Sequence, residues 1–138
     1  MKKLFAIMAF VAAFAAVRGQ GVSWGGDVVQ RTSCVDNDTL RVELVSVENP
    51  SEPQPRYVQD WVNIVNKTDD TLRVTYHVEA LLTRYDKPFS YDYTLSVGPR
   101  NNLGDNVYSH FHKGHYIFGG QYRDTDCKVK KIYLLHVK

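Results

Sequence analysis

Leu72-Arg73-Val74-Thr75-Tyr76-His77-Val78-Glu79-Ala80-Leu81-Leu82 is the stretch that decides the fold class. Leu72, Val74, Tyr76, Val78, Ala80 and Leu82 are apolar, and Arg73, Thr75, His77 and Glu79 lie between them. Successive side chains on a strand point to opposite faces. A period of two held over this length therefore means a strand with one buried and one wet face.

The same pattern extends on both sides. Downstream, Phe89, Tyr91, Tyr93, Leu95 and Val97 alternate with Ser90, Asp92, Thr94 and Ser96. That alternation assigns the aromatic rings to a core rather than to an exposed platform. Upstream, 58–65 is apolar on both faces, with Trp61 and Val65 on one and Val62 and Ile64 on the other. It reads as a central strand. Residues 39–47 alternate less cleanly, and 116–122 and 128–137 supply two further strands. Breaks separate these runs. Asp36-Asn37-Asp38 is a turn, Asn66 to Asp70 and Asp86-Lys87-Pro88 are hairpin turns, and 98–106 is a loop rich in Gly, Pro and Asn. Three prolines between Asn49 and Pro55 make a stiff connection. The expectation is all-β: an antiparallel β-sandwich of seven or eight strands, in one domain over 20–138.

Trp61-Val62-Asn63-Ile64-Val65-Asn66-Lys67-Thr68, followed by Leu72-Arg73-Val74-Thr75-Tyr76, resembles the strand, Asn-x-Thr turn, strand unit of bacterial immunoglobulin-like and fibronectin-like modules. The resemblance covers about a fifth of the chain. It implies an immunoglobulin-like fold and assigns no functional residue, because such folds host adhesion, inhibition and scaffolding alike.

The chain opens Met1-Lys2-Lys3 and then runs apolar and uncharged from Leu4 to Val17. That run is shorter than the ~20 residues of a membrane span. It is read as a secretory signal peptide over 1–19, so a secreted or periplasmic location follows, with no stable membrane span after cleavage. Cleavage removes Lys2, Lys3 and Arg18 from the 17 basic residues and none of the 15 acidic ones. The formal charge falls from +2 to −1. A balance so near neutral argues against a nucleic-acid partner, which would need a basic face.

Two cysteines in an exported chain predict one disulfide, Cys34 to Cys127. Closing so long a loop would stabilise by roughly 4–5 kcal/mol in the chain-entropy model. In immunoglobulin-like sandwiches the first and last strands commonly neighbour one another, so the resemblance makes the pairing geometrically reasonable.

His110-Phe111-His112-Lys113-Gly114-His115 is the densest cluster of metal-ligand residue types. On a strand His110 and His112 would share a face, and a turn at Lys113-Gly114 would return His115 toward them. Three imidazoles at that range would hold Zn or Cu with an open position. The same residues also fit a wet strand face carrying polar side chains. Arg100, Asn101 and Asn102 sit in the loop at 98–106, where a sandwich carries its binding contacts, and the same types form turns. There is no Gly-x-Ser-x-Gly, no His-Glu-x-x-His and no phosphate-cradling glycine loop. Asn37-Asp38-Thr39 and Asn66-Lys67-Thr68 match the N-glycosylation sequon. These features predict an exported, non-catalytic binding or structural module with a protein or glycan partner. The alternative is an accessory protein that binds Zn or Cu.

Overall fold

A computed structural model of the chain describes residues 24–49, 56–114 and 125–138. The segment read as a signal peptide and the strand expected at 116–122 lie outside the described residues. Among the described residues seven strands and one short helix follow in order. They are β1 (Asp27–Asp36), β2 (Leu40–Asn49), β3 (Tyr57–Asn66), β4 (Leu72–Leu82), β5 (Lys87–Val97), β6 (Asn102–Asn106), α1 (Val107–Gly114) and β7 (Cys127–Val137). A 3-10 turn, Thr83–Tyr85, links β4 to β5. None of the helices among these residues is long and apolar enough to cross a membrane.

The strands form one mixed sheet, in the order β1-β2-β3-β7-β4-β5, with β6 also paired to β3. The expected all-antiparallel pairing needs one correction. Among the described residues every ladder is antiparallel except a single parallel bridge, Gln59 to Cys127, between β3 and β7. That bridge divides the sheet into two limbs. One is β1-β2-β3-β6, and the other is β7-β4-β5. Both limbs feed one buried cluster. Leu40, Val42, Val62 and Ile64 enter from the first limb, and Val74, Tyr76, Val78 and Leu82 enter from the second. β4 buries each apolar position of its alternation and leaves the others part-exposed or exposed, as its period requires. Tyr91 and Tyr93 of β5 pack half-buried on the same cluster.

The turn at 66–70 is not a hairpin. β3 pairs with β2, β6 and β7, whereas β4 pairs with β5 and β7. The segment carries the chain from one limb to the other, and so does 98–101, between β5 and β6. One side chain ties these crossovers together. Asn66, 1% exposed, donates through Nδ2 to the carbonyls of Asp70 (2.7 Å), Val97 (3.0 Å) and Gly98 (3.0 Å). Its Oδ1 accepts from Thr68 N and Thr68 Oγ1, both at 2.8 Å. Its backbone N–H donates to Asn101 O at 2.8 Å. Arg100 holds a left-handed backbone at φ 59°, which costs a non-glycine residue roughly 1–2 kcal/mol. Two bonds offset that cost: Arg100 N to Thr68 O (3.0 Å) and Arg100 Nε to Asp69 (2.8 Å).

β6 and α1 replace the expected loop and histidine-bearing strand. Asn102-Leu103-Gly104-Asp105-Asn106 contains no β-branched residue, so propensity gives no strand there. It becomes a strand because half of β3's second edge would otherwise lack partners. α1 starts where Asn106 Oδ1 accepts the N–H of Tyr108 at 3.0 Å, an N-cap contact. Val107 and Phe111, four apart on one helix face, are both fully buried.

Candidate functional site

Two constellations of chemistry-bearing side chains stand out, on opposite faces of the first limb. The inward one centres on Asp105 of β6. Tyr76 OH of β4 donates to Asp105 Oδ2 at 2.6 Å, and Tyr91 OH of β5 donates to the same oxygen at 2.9 Å. His110 Nε2 of α1 lies 2.5 Å from Asp105 Oδ1. The His110 ring stacks on Tyr91 at 3.9 Å and meets Tyr93 edge-on at 4.5 Å. The His110 and Asp105 side chains are only 7% and 5% exposed. Burial, with the adjacent Asp105 carboxylate adding to it, pushes both tyrosine hydroxyls well above the usual phenol range. They remain protonated donors across physiological pH. Asp105 thus spends both oxygens on donors from three other elements. The arrangement is a polar knot that joins the limbs and α1.

The expected metal cluster therefore has a different geometry. His110 and His112 lie on a helix, where residues two apart do not share a face. His110 is engaged by Asp105. The side chain of His112 and the whole of His115 lie outside the described residues. Among the described residues, no group of three His, Cys, Asp or Glu is placed to hold a metal ion.

The disulfide is not made. Cys34 is a free, exposed thiol on β1, and Cys127 is a free, buried one at the start of β7. β2 and β3 lie between their strands. At the usual strand spacing β1 and β7 are about 14 Å apart, beyond the ~7 Å between Cα atoms that a disulfide spans. The β1 residue level with Cys127, through Gln59 and Val47, is Val28. Burial pushes the Cys127 thiol far up, with the Asp60 charge adding to it. Partial burial, opposed by a backbone hydrogen bond at Leu44, raises Cys34 as well. Neither sulfur is poised as a thiolate nucleophile.

The outward constellation crosses four strands. On β2 and β3 the positions facing away from the core carry Arg41, Glu43, Trp61 and Asn63, paired as Glu43 with Asn63 and Val45 with Trp61. Glu43, 6% exposed, is the centre. It pairs with Arg31 of β1, accepts from Arg41 Nε at 3.1 Å, and receives Asn63 Nδ2 at 3.4 Å. Asn63 Oδ1 in turn accepts from Asn102 Nδ2 of β6 at 3.0 Å. Arg31 also lies over the Trp24 ring, 5.8 Å from its centroid, and Trp24 meets Trp61 edge-on at 5.2 Å. A buried carboxylate is costly unless paired, and two guanidinium groups meet that need here. Arg31 and Arg41 keep 50% and 38% of their side chains exposed, so the platform offers donors and apolar indole surface together.

Of the three loop residues singled out from sequence, only Asn102 joins this platform. Arg100 and Asn101 hold the crossover together. The platform itself was missed, although its signal was present. Residues 41, 43, 61 and 63 fall at every second position of two strands. Pairing those two strands requires knowledge of their neighbours.

No family model, curated protein or solved structure matches the chain. The class the fold defines is an all-β protein built on one open, mixed, seven-stranded sheet.

Proposed function

We propose that the chain is an exported, non-catalytic binding module whose two limbs face each other as an immunoglobulin-like sandwich. The platform of Trp24, Arg31, Arg41, Glu43, Trp61 and Asn63 is its binding face, and a glycan is its partner. Two features support the sandwich: the buried cluster fed by both limbs, and the reach of Tyr76 and Tyr91 to Asp105. The observation that carries the binding reading is the continuous run of contacts from Trp61 through Trp24, Arg31 and Glu43 to Asn63. Paired indoles give a sugar ring an apolar surface, and fixed guanidinium and amide groups give its hydroxyls directional partners. The charged cluster on the opposite face supports the non-catalytic part, because Asp105 and His110 are turned inward onto each other.

A glycan array with the purified chain, followed by calorimetry on any ligand found, tests this reading. Trp61→Ala and Arg31→Ala are expected to weaken binding at least tenfold in protein that circular dichroism shows to be folded. Binding unchanged in both variants, or no glycan bound by the folded chain, would refute it.

A further inference from the structure

The two sequons lie side by side and differ in what folding does to them. Leu40 pairs with Asn66, and Lys67 N donates to Thr39 O at 2.9 Å, so the turn after β1 and the crossover after β3 share one end of the molecule. At that end Asn37 is exposed. Its Oδ1 accepts the N–H groups of Thr39 (2.8 Å) and Leu40 (3.0 Å), which turns Nδ2 outward. Among the described residues neither Asn37 Nδ2 nor Thr39 Oγ1 has a hydrogen-bond partner. Asn66 is the opposite case. Its Nδ2 is the donor of three buried or half-buried bonds, and the Thr68 hydroxyl contacts Asn66 Oδ1 and Asp70 O.

We propose that Asn37 is this chain's N-glycan acceptor and that the sequon at Asn66 is closed by folding. The proposal rests on the export reading, because the modifying machinery lies in the export pathway. The chemistry needs a lipid-diphosphate-linked oligosaccharide as donor. The Asn37 amide nitrogen attacks C1 of the first sugar and forms the N–C1 bond. The C1–O bond to the diphosphate breaks, the lipid diphosphate leaves with the electron pair, and one Nδ2 proton passes to a base of the transferase. The Thr39 hydroxyl is free to dock on that enzyme. At Asn66 the same substitution would replace one of the two Nδ2 hydrogens that hold both crossovers and would set a sugar on a side chain only 1% exposed, so a chain modified there does not reach the folded state.

The test is to produce the full chain in a eukaryotic secretory host, beside a version in which the host's own leader replaces residues 1–19. The folded, secreted fraction is treated with peptide-N-glycosidase in ¹⁸O water and mapped by peptide mass. The expected result is one glycan-sized increment, located at Asn37, absent from Thr39→Ala, and no label at Asn66. An unmodified Asn37 in both versions, or folded protein labelled at Asn66, overturns the proposal. A glycan at Asn37 only behind the host leader would show that the folded site accepts a glycan but that residues 1–19 do not deliver the chain to the transferase. That result refutes the export reading and, with it, the proposal for the native chain.

Discussion

At the scale of single residues, Asn66 and His77 show how one side chain can act locally or globally. Asn66 donates three hydrogen bonds, to the carbonyl of Asp70 in its own crossover and to those of Val97 and Gly98, 31 and 32 residues further along the chain. Replacing it by alanine leaves those acceptors unpaired at a closed site. Asn66→Ala should lower unfolding free energy by about 2–4 kcal/mol, at roughly 1 kcal/mol for each bond lost. Urea titration followed by fluorescence would show it, and a loss below 1 kcal/mol would mean that water replaces the amide. His77 is the contrasting case, on the wet face of β4. Its Nδ1 lies 2.6 Å from Asp92, its Nε2 lies 3.4 Å from Glu79, and its ring stacks on Tyr133. The Asp92 hydrogen bond, followed by the Asp92 charge and the Glu79 contact, raises its pKa above the ordinary imidazole value. The charged form is therefore the one the folded state prefers. The His77 contribution is fully present below the unfolded value, about 6.5, and fades as pH rises through the higher folded value. His77→Gln should lose more stability at pH 5.5 than at pH 8.5. An equal loss at both pH values would remove the ion pairs from the account. The pair is exposed, so the difference will be small and will shrink in salt.

At the scale of elements, α1 and β6 exist because of what they pack against. Neither is strong by propensity, and β6 is only five residues long. Asp105 supplies what they lack, since its carboxylate binds β4, β5 and α1 together. Asp105→Ala would leave one buried phenol, one half-buried phenol and a nearly buried imidazole without their acceptor. The expected cost is about 3 kcal/mol or more, from the ~1–3 kcal/mol penalty of each unsatisfied buried group. Hydrogen exchange should speed up first in 102–111, and exchange that rises uniformly would contradict the local role. β1 is the opposite kind of element, paired on one side and exposed over almost its whole length. Two register shifts interrupt it, between Val28 and Gln30 and between Ser33 and Val35. Such bulges twist an edge strand away from intermolecular pairing, which matters for a strand carrying exposed Val28 and Val29.

At the scale of the whole molecule, no covalent staple holds the limbs. They share a buried cluster, one parallel bridge, the Asp105 knot and the crossovers closed by Asn66. The contacts at the start of β7 add to these. Asp60 accepts from Ser46 Oγ and Val129 N at 2.7 Å each, and Asp126 accepts from Val58 N at 2.8 Å. Stability should therefore be indifferent to reductant. Thiol titration of the unfolded chain without reductant is expected to count two thiols, with the urea midpoint unchanged by dithiothreitol. A count of zero, or a midpoint that falls on reduction, would restore the covalent clamp expected from cysteine arithmetic.

Much of this was legible in the sequence, and the boundary between what was and what was not is physical. Alternation in 72–82 and 89–97 identified strands and their buried faces, because the period of a strand is a property of the backbone itself. The two-sided apolar character of 58–65 likewise marked β3 as the strand with neighbours on both edges. Partner choice was not encoded locally. Asn66-Lys67-Thr68 specifies a change of direction, and turn chemistry is the same whether the next strand pairs back or crosses to another limb. Only the competition among all strand edges decides which occurs. That competition moved Cys34 away from Cys127, turned 102–106 into a strand, and set His110 on a helix against Asp105. It also aligned Arg31, Glu43, Asn63 and Trp61 on one face. The sequence alone determined an all-β chain and the inward side of its main strands, since those follow from spacing along the backbone. Tertiary structure alone decided which polar side chains meet, because hydrogen bonds and ion pairs form between strands that are remote in sequence.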